Sequence, residues 1–304
     1  AQAVGVHTNS SPTAPYRGAG RPEAILSIES VIDKAAKQLG IDRIELRHRN
    51  LISRDQIPFQ TGLAYNYDSG DFPANMAKAE AAADVAGFAA RREESARRGK
   101  LRGLGIVNGI EAAGAVMMEG ADLRFDPTGN LTVSMGTHSH GQGHETVFRQ
   151  LLTEKLEFER VRYVQGDTDL VPYGSGTFAS RSMMMGGGAI ATAADKIIEK
   201  GRRIAAHRLE AAVDDIEFAD GQFTVAGTDK TLSIVDVARG AYIPPLIPPE
   251  EEAGLTAFAI WKDPRATFPN GCHICEVEID PETGQTELVS YVVVDDVGTV
   301  MNPM

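Results

Sequence analysis

Ile25, Ile28, Ile32, Ala35, Ala36 and Leu39 return every three or four positions, the period of one helix face, and Gly40 supplies a stop. A second helix is predicted from Asp42, which can cap it while Glu45 reaches back and Ile41 and Leu46 pack as a staple; its face continues to about Ile52. Residues 54–72 are polar and turn-rich. Residues 76–98, rich in Ala and Arg, read as an exposed helix ending at Arg97-Arg98-Gly99, its basic end solvated and complementing the dipole.

The pattern changes near residue 99. Residues 101–111, 121–126 and 131–136 read as strands, the last two joined by a turn at 127–130. A helix from about Glu145 is expected to turn Val147, Phe148, Leu151, Leu152 and Leu156 inward. A strand at 161–165, a loop to Gly188 and a helix from Ala189 to about Leu209 follow, so strand, glycine-rich turn and helix occur twice over. Residues 216–225 suggest a hairpin, 243–252 a proline-rich surface loop, and 275–280 with 286–296 a hairpin around Pro281-Glu282-Thr283-Gly284. Strands and helices mix without regular alternation and no solenoid repeat is visible, so the expected class is α+β, with domains at 1–98 and 99–304.

A formal charge of -12 and a pI near 5.1 disfavour nucleic acid and anionic membrane surfaces, both of which would repel the chain. No apolar stretch approaches the ~20 residues of a membrane helix, and the first ten residues lack the charged and apolar regions of a secretory signal; the expected compartment is the cytoplasm. Ala1 is not an initiator methionine, and Met304 follows a strand and turn that normally lead onward, so the chain reads as a fragment. Cys272 and Cys275 cannot complete an iron–sulfur site that needs four thiolates, and their CxxC spelling is read as two small buried residues.

Chemistry concentrates in two segments. Gly136-Thr137-His138-Ser139-His140-Gly141-Gln142-Gly143-His144-Glu145 runs from a strand to a helix N-terminus, offering backbone N–H groups and a Gln amide without side-chain obstruction. Gly174 to Ser182, followed by Gly186-Gly187-Gly188, adds hydroxyls and an arginine able to pair with phosphate. Two such cradles suit a dinucleotide or pterin-sized ligand; each taken alone is equally well explained as a tight turn. No lysine completes a P-loop, and Gly174, Gly176 and Ala179 match GxGxxA without a buried strand before them. His138 and His140, at period two on a strand, with His144 nearby, raise a zinc alternative. The loop Pro15 to Glu23 combines Tyr16, Arg17 and Arg21 with two glycines ahead of a helix, and its simplest reading is a helix start.

Taken together, PYRGAGRPEA, ELRHRNLI, GTHSHGQGHET, GDTDLVPYGSGTFASRS and VDDVGTVMNP occur in an order that resembles the molybdenum-binding large subunit of the xanthine dehydrogenase, aldehyde oxidase and carbon monoxide dehydrogenase family. The resemblance implies the end of a first cofactor-binding domain at 1–98 and a second at 99–304. It also implies molybdenum held by molybdopterin cytosine dinucleotide, with Gly141, Gln142 and Gly143 along the pterin and Thr177, Ser180, Arg181 and Ser182 on the dinucleotide. Tyr16, Arg17, Gly18, Ala19, Gly20 and Arg21 would face the substrate pocket.

The implied activity is hydroxylation of an aldehyde or N-heterocycle with water-derived oxygen, the metal acting as Lewis acid and a glutamate as base. That glutamate is expected beyond Met304, so no catalytic residue is assigned here; a glycine-rich pterin loop expected before Ala1 is also absent from the chain. Copper-dependent carbon monoxide oxidisers carry a cysteine in the pocket loop, where this chain has Arg17-Gly18-Ala19-Gly20-Arg21. The implied partners are an iron–sulfur small subunit and an FAD medium subunit, assembled as a homodimer of heterotrimers. The alternatives are a carbon monoxide dehydrogenase-like subunit without the copper cysteine, an inert assembly module and, from the histidines, a zinc hydrolase.

Overall fold

A computed structural model describes residues 4, 6, 8–11, 14–114, 117–263 and 265–303; Ala1 and Met304, the two ends read as cut, lie outside them. In chain order the helices are α1 Arg21–Leu39, α2 Arg43–Asn50, α3 Phe72–Ala82, α4 Phe88–Arg97, α5 His144–Leu156, α6 Gly188–Leu209 and α7 Ile234–Gly240. The strands are β1 Phe59–Gln60, β2 Asn66–Tyr67, β3 Leu101–Ile110, β4 Ala113–Gly114, β5 Glu119–Phe125, β6 Leu131–Met135 and β7 Val161–Gln165. They continue with β8 Ile216–Ala219, β9 Gln222–Val225, β10 Thr231–Ser233, β11 Thr256–Trp261, β12 Ala266–Thr267, β13 Asn270–Ile279 and β14 Thr286–Asp296. Helices segregated against mixed and antiparallel sheets make the class α+β, as expected. Among the described residues no helix is long and apolar enough to cross a membrane.

The chain forms two compact units, one of residues 1–111 and 268–298, the other of 112–267 and 299–304. Compactness therefore cuts the chain differently from the sequence boundary near 99, because β3 and the hairpin of β13 and β14 build one sheet in the first unit, in the order β14-β13-β3. β13 is the central strand, and its inward positions carry Asn270, Cys272, Ile274, Glu276 and Glu278. Cys272 and Ile274 pack with Met76 and Ala79 of α3 and with Ile106. Burial pushes the Cys272 thiol up to about 12, so it behaves as a small apolar residue.

Glu276 and Glu278 explain the basic cluster near residue 98, which is not simply a solvated helix end. Arg91 and Arg102 reach Glu276 at 2.6 and 2.7 Å, while Arg98 at 2.5 Å and Ser95 at 2.6 Å reach Glu278. The helix predicted over 76–98 is also two helices. Asp84, in left-handed backbone at φ 47°, turns the chain between α3 and α4 and accepts from the Gly87 N–H.

At α2, Asp42 caps the N–H groups of Ile44 and Glu45, but Glu45 bonds Arg49 instead of reaching back. Gly40 ends α1 in left-handed backbone as expected, yet Ala36 is its single buried residue, and Ile28 and Leu39 remain exposed. α1 meets α2 through the buried Arg47, paired with Glu29 at 2.6 Å and Asp33 at 2.8 Å.

In the second unit the main sheet has the order β11-β5-β6-β7, antiparallel except for the parallel pair β6 and β7. A parallel pair needs a crossover, which α5 supplies. Phe148, Leu151, Leu152 and Leu156 of α5 and Ile190, Ile197 and Ile204 of α6 meet Leu123, Phe125, Leu131, Val133 and Met135 of the sheet. Val147, expected to face inward, is exposed. The loop expected to run to Gly188 contains a π-helical turn, Ser182–Gly187, immediately before α6. Such widened turns recur at functional sites.

Candidate functional site

Within the second unit the two glycine-rich segments meet. β6 ends at Met135, and the next residue, Gly136, crosses Gly174 so closely that a Cβ on Gly136 would lie 2.4 Å from the Gly174 Cα. Beyond the crossing, the Thr177 hydroxyl donates to the His138 carbonyl at 2.8 Å, and the Ser182 hydroxyl to Thr177 Oγ1 at 3.3 Å. On the other side, Gln165 at the end of β7 accepts from the Ser139 N–H at 2.8 Å.

The first loop is closed by its own groups. The Gln142 amide oxygen accepts from the His140 N–H, and the Gly141 N–H donates to Ser139 Oγ at 3.1 Å. The Gln142 amide nitrogen takes part in neither bond and can donate to a ligand. Gly141 at φ 109° and Gly143 at φ 76° hold left-handed backbone facing open space, so a ligand can approach the main chain just ahead of α5. At the loop base Thr137 is fully buried, and its carbonyl accepts from the Tyr163 hydroxyl at 2.7 Å. Burial pushes Tyr163 up to about 12, which keeps the phenol protonated for that bond.

The second loop is strained where it is exposed. Ala179 and Ser180 are consecutive non-glycine residues in left-handed backbone, at φ 48° and 52°, and Gly176 at φ 91° faces open space. Arg181 departs from the sequence reading. Its side chain is fully buried instead of offered to a phosphate, paired at 2.6 Å with the equally buried Glu119 and donating to the carbonyls of Gly176 at 2.5 Å and Met118 at 2.8 Å.

The histidines do not form the arrangement the zinc alternative requires. β6 stops before them, so His138 and His140 share no strand face; their rings meet edge-on with centroids 4.4 Å apart. His144 turns inward, its ring 5.4 Å from that of Phe148, and burial first, with His140 and His138 adding to it, lowers its pKa. Among the described residues no group of three or more His, Cys, Asp or Glu is placed to hold a metal ion.

The segment Tyr16 to Arg21 belongs to the first unit. It is a tight loop in which the Ala19 N–H donates to the Tyr16 carbonyl at 2.6 Å and Gly18, Ala19 and Gly20 all have positive φ, of 93°, 48° and 92°. Arg21 pairs with Glu111 at 2.9 Å and bonds the Gly18 carbonyl, so it braces the loop; Tyr16 and Arg17 are exposed. Beside it lies a cleft of about 310 Å³ lined by Gly18, Arg21, Glu111, His273 and Asp295. His273 there contacts the Tyr291 hydroxyl at 3.0 Å and Asp295 at 3.6 Å.

Sequence reasoning missed Glu119 and Gln165 in the second unit, and gave Ser175, inside the segment it singled out, no role of its own. An acid on an otherwise apolar strand face, as Glu119 with Ala121, Leu123 and Phe125, is the signal for Glu119, because a buried carboxylate demands a partner. No such signal marks Ser175 or Gln165, whose contacts depend on loop geometry.

Comparison with known proteins gives the same family over nearly the whole chain. A family model described as a molybdopterin cofactor-binding domain matches residues 78–304, and a second of the same description matches 1–51. The carbon monoxide dehydrogenase large chain of Hydrogenophaga pseudoflava is 37% identical over 99% of this chain and 40% of its own length. The 6-hydroxypseudooxynicotine dehydrogenase complex subunit gamma of Paenarthrobacter nicotinovorans is 34% identical over 98% of this chain and 38% of its own. Among solved structures, quinoline 2-oxidoreductase from Pseudomonas putida 86 superposes with a TM-score of 0.85 at 33% identity, covering 95% of this chain and 38% of that one. The chain thus spans about two fifths of the length of the curated relatives it matches.

Proposed function

Because this chain belongs to the molybdopterin cofactor-binding family of molybdenum hydroxylase large subunits, we propose that its joined loops 136–143 and 174–182 hold molybdopterin cytosine dinucleotide in an enzyme that hydroxylates an aldehyde or N-heterocycle. The observation that carries the reading is the crossing of Gly136 and Gly174, which makes one surface of two loops that the sequence separates. The residues present fit the group: Gly141, Gly143 and Gly176 expose main chain to open space, where side chains would obstruct a flat ring system.

Gln142 and Gly143 offer main-chain N–H groups and the Gln142 amide nitrogen along the pterin, while Gly141, whose N–H is held by Ser139, leaves the approach open. Ser180 serves the dinucleotide with its hydroxyl, and Thr177 and Ser182, whose hydroxyl hydrogens are given within the loops, with backbone groups, while Arg181 acts from behind the loop. When bound, the cofactor supplies a redox-active Lewis acid. The chain's part is to bind and orient it, and the loop Tyr16 to Arg21 is assigned to the substrate. No residue of this chain is assigned as base. As stretches of sequence, 1–98 and 99–304 correspond to the end of a first cofactor-binding domain and a second one.

An organic substrate is favoured over carbon monoxide because Arg17-Gly18-Ala19-Gly20-Arg21 offers no thiolate for copper. Relatives named for a nicotine derivative and for quinoline point toward N-heterocycles. Electrons leave through an iron–sulfur small subunit and an FAD medium subunit, in a cytoplasmic homodimer of heterotrimers.

The test is metal and pterin analysis of the full-length protein co-expressed with these partners, together with dye-linked oxidation of aldehydes and N-heterocycles. Stoichiometric molybdenum with turnover is expected. Neither metal nor turnover would leave an inert assembly module, and stoichiometric zinc with hydrolysis would overturn the assignment.

A further inference from the structure

We propose that the buried pair Glu119 and Arg181 is the pin that holds both cofactor loops in register, and that Arg181 is a positioning residue with no contact to the cofactor phosphate. The proposal rests on the reading of these loops as the cofactor site. Both side chains are fully excluded from solvent, and they meet at 2.6 Å. Glu119 Oε2 also accepts from the Ser175 N–H at 3.1 Å, and Oε1 from the Gly120 N–H at 3.3 Å. The same Oε1 lies 2.9 Å from where a Cβ would stand on either Gly136 or Gly174, which places the carboxylate at the loop crossing itself.

Arg181 completes the pin from the other side. It donates to the carbonyls of Gly176 in the second loop and Met118 before β5, and its guanidinium lies 5.2 Å from the centroid of the Phe178 ring. Drawing it out to a phosphate would abandon a buried carboxylate without its counter-charge, which is far more costly than leaving an exposed loop without a cation. The one pair thus fixes the second loop directly. It fixes the first through the glycine crossing and the Thr177 to His138 bond.

The test is amide hydrogen exchange on the full-length large subunit purified without cofactor, so that it reads the loops whether or not molybdopterin proves to be the ligand. Arg181→Met is expected to speed exchange at least tenfold in both 138–143 and 174–181, and Arg181→Lys to restore part of the protection in both. The double variant Glu119→Leu with Arg181→Met is expected to melt above Arg181→Met alone, since no charge is left unpaired, while its loops remain unprotected. Should Arg181→Met fail to fold, Glu119→Gln, which keeps an acceptor, is expected to loosen both loops together to a smaller degree.

Wild-type exchange in 138–143 beside a loosened 174–181 would show that the pair serves only its own loop and would overturn the proposal. So would wild-type exchange in both loops with pterin content lost from the co-expressed complex, because that is the behaviour of a direct phosphate contact.

Discussion

Gly136 and Gly174 exclude side chains from one another: a Cβ built on either falls 2.4 Å from the other's Cα and 2.9 Å from Glu119 Oε1. Nothing at the contact is flexible except the carboxylate, which is itself pinned. Gly174→Ala and Gly136→Ala are therefore each expected to destabilise the protein by about 1–3 kcal/mol, as overpacking of a closed site does. Both should also lower pterin content. Chemical denaturation of the cofactor-free protein and pterin analysis of the complex check this; a Gly174→Ala protein with unchanged stability and pterin content would show that the loops can part without consequence.

Gly141 differs, because its substituent would point into open space. Gly141→Ala is expected to cost about 1–2 kcal/mol through the left-handed backbone alone, yet to lose most of the bound pterin by obstructing the approach to the main chain. Gln142→Ala is expected to release the His140 N–H at a cost of about 1 kcal/mol and also to reduce pterin content at least several-fold. Full occupancy in both variants would move the pterin elsewhere.

Much of the fold was legible because its signals are local. Asp42 and Gly40 bound helices as cap and stop residues, and the turn at 281–284 between strands read at 275–280 and 286–296 marked the terminal hairpin, although β13 starts earlier, at Asn270. What stayed hidden depends on distant pairing. Arg181 spells a phosphate ligand until Glu119, far earlier in the chain, is seen to hold it. Likewise Arg91 of α4 and Arg98 just after it spell a solvated helix end until β13 presents Glu276 and Glu278 to them. The three histidines suggested a metal because the strand was expected to continue, and it ends at Met135.

The side chain of Glu276 is nearly buried between Arg91 and Arg102. Arg102→Met is expected to destabilise the first unit by about 2–3 kcal/mol, since one arginine remains to compensate the carboxylate. Pairing it with Glu276→Leu should recover part of that loss. Thermal denaturation of the two variants measures the difference, and a double variant no more stable than the single would argue against the ion-pair account.

Acid is expected to act in two stages. His144 titrates below its ordinary 6.5, chiefly through burial, so its contribution is complete above that pH and declines as pH falls toward its lower folded value. Glu276 and Glu278 lie below their ordinary 4.5. For Glu276 burial pulls upward and is outweighed by hydrogen bonds from Arg91 and Arg102; for Glu278 the hydrogen bond from Arg98 leads. Their stabilisation is likewise complete above 4.5 and lost below it. Denaturation midpoints measured across pH should fall shallowly below 6.5 and steeply below 4.5, with His144→Leu removing the first stage only. A single transition unchanged by His144→Leu would contradict the assignment.

The hydrogen-bonded neighbours β3 and β13 are joined covalently through Ala112–Thr267 of the second unit, with Ile110 opposite Asn270 at the point where the chain leaves and returns. In polymer terms, the central strand of the first sheet must close a very long loop before it can pair, an entropic cost that shrinks if Ala112–Thr267 has already condensed and brought its own ends together. The order of synthesis works against the sheet as well, because β3 is made well before β13. A substitution that only slows the collapse of the inserted unit would therefore leave β3 exposed as an unpaired edge, so aggregation during folding is expected to track lesions far from the strand that aggregates.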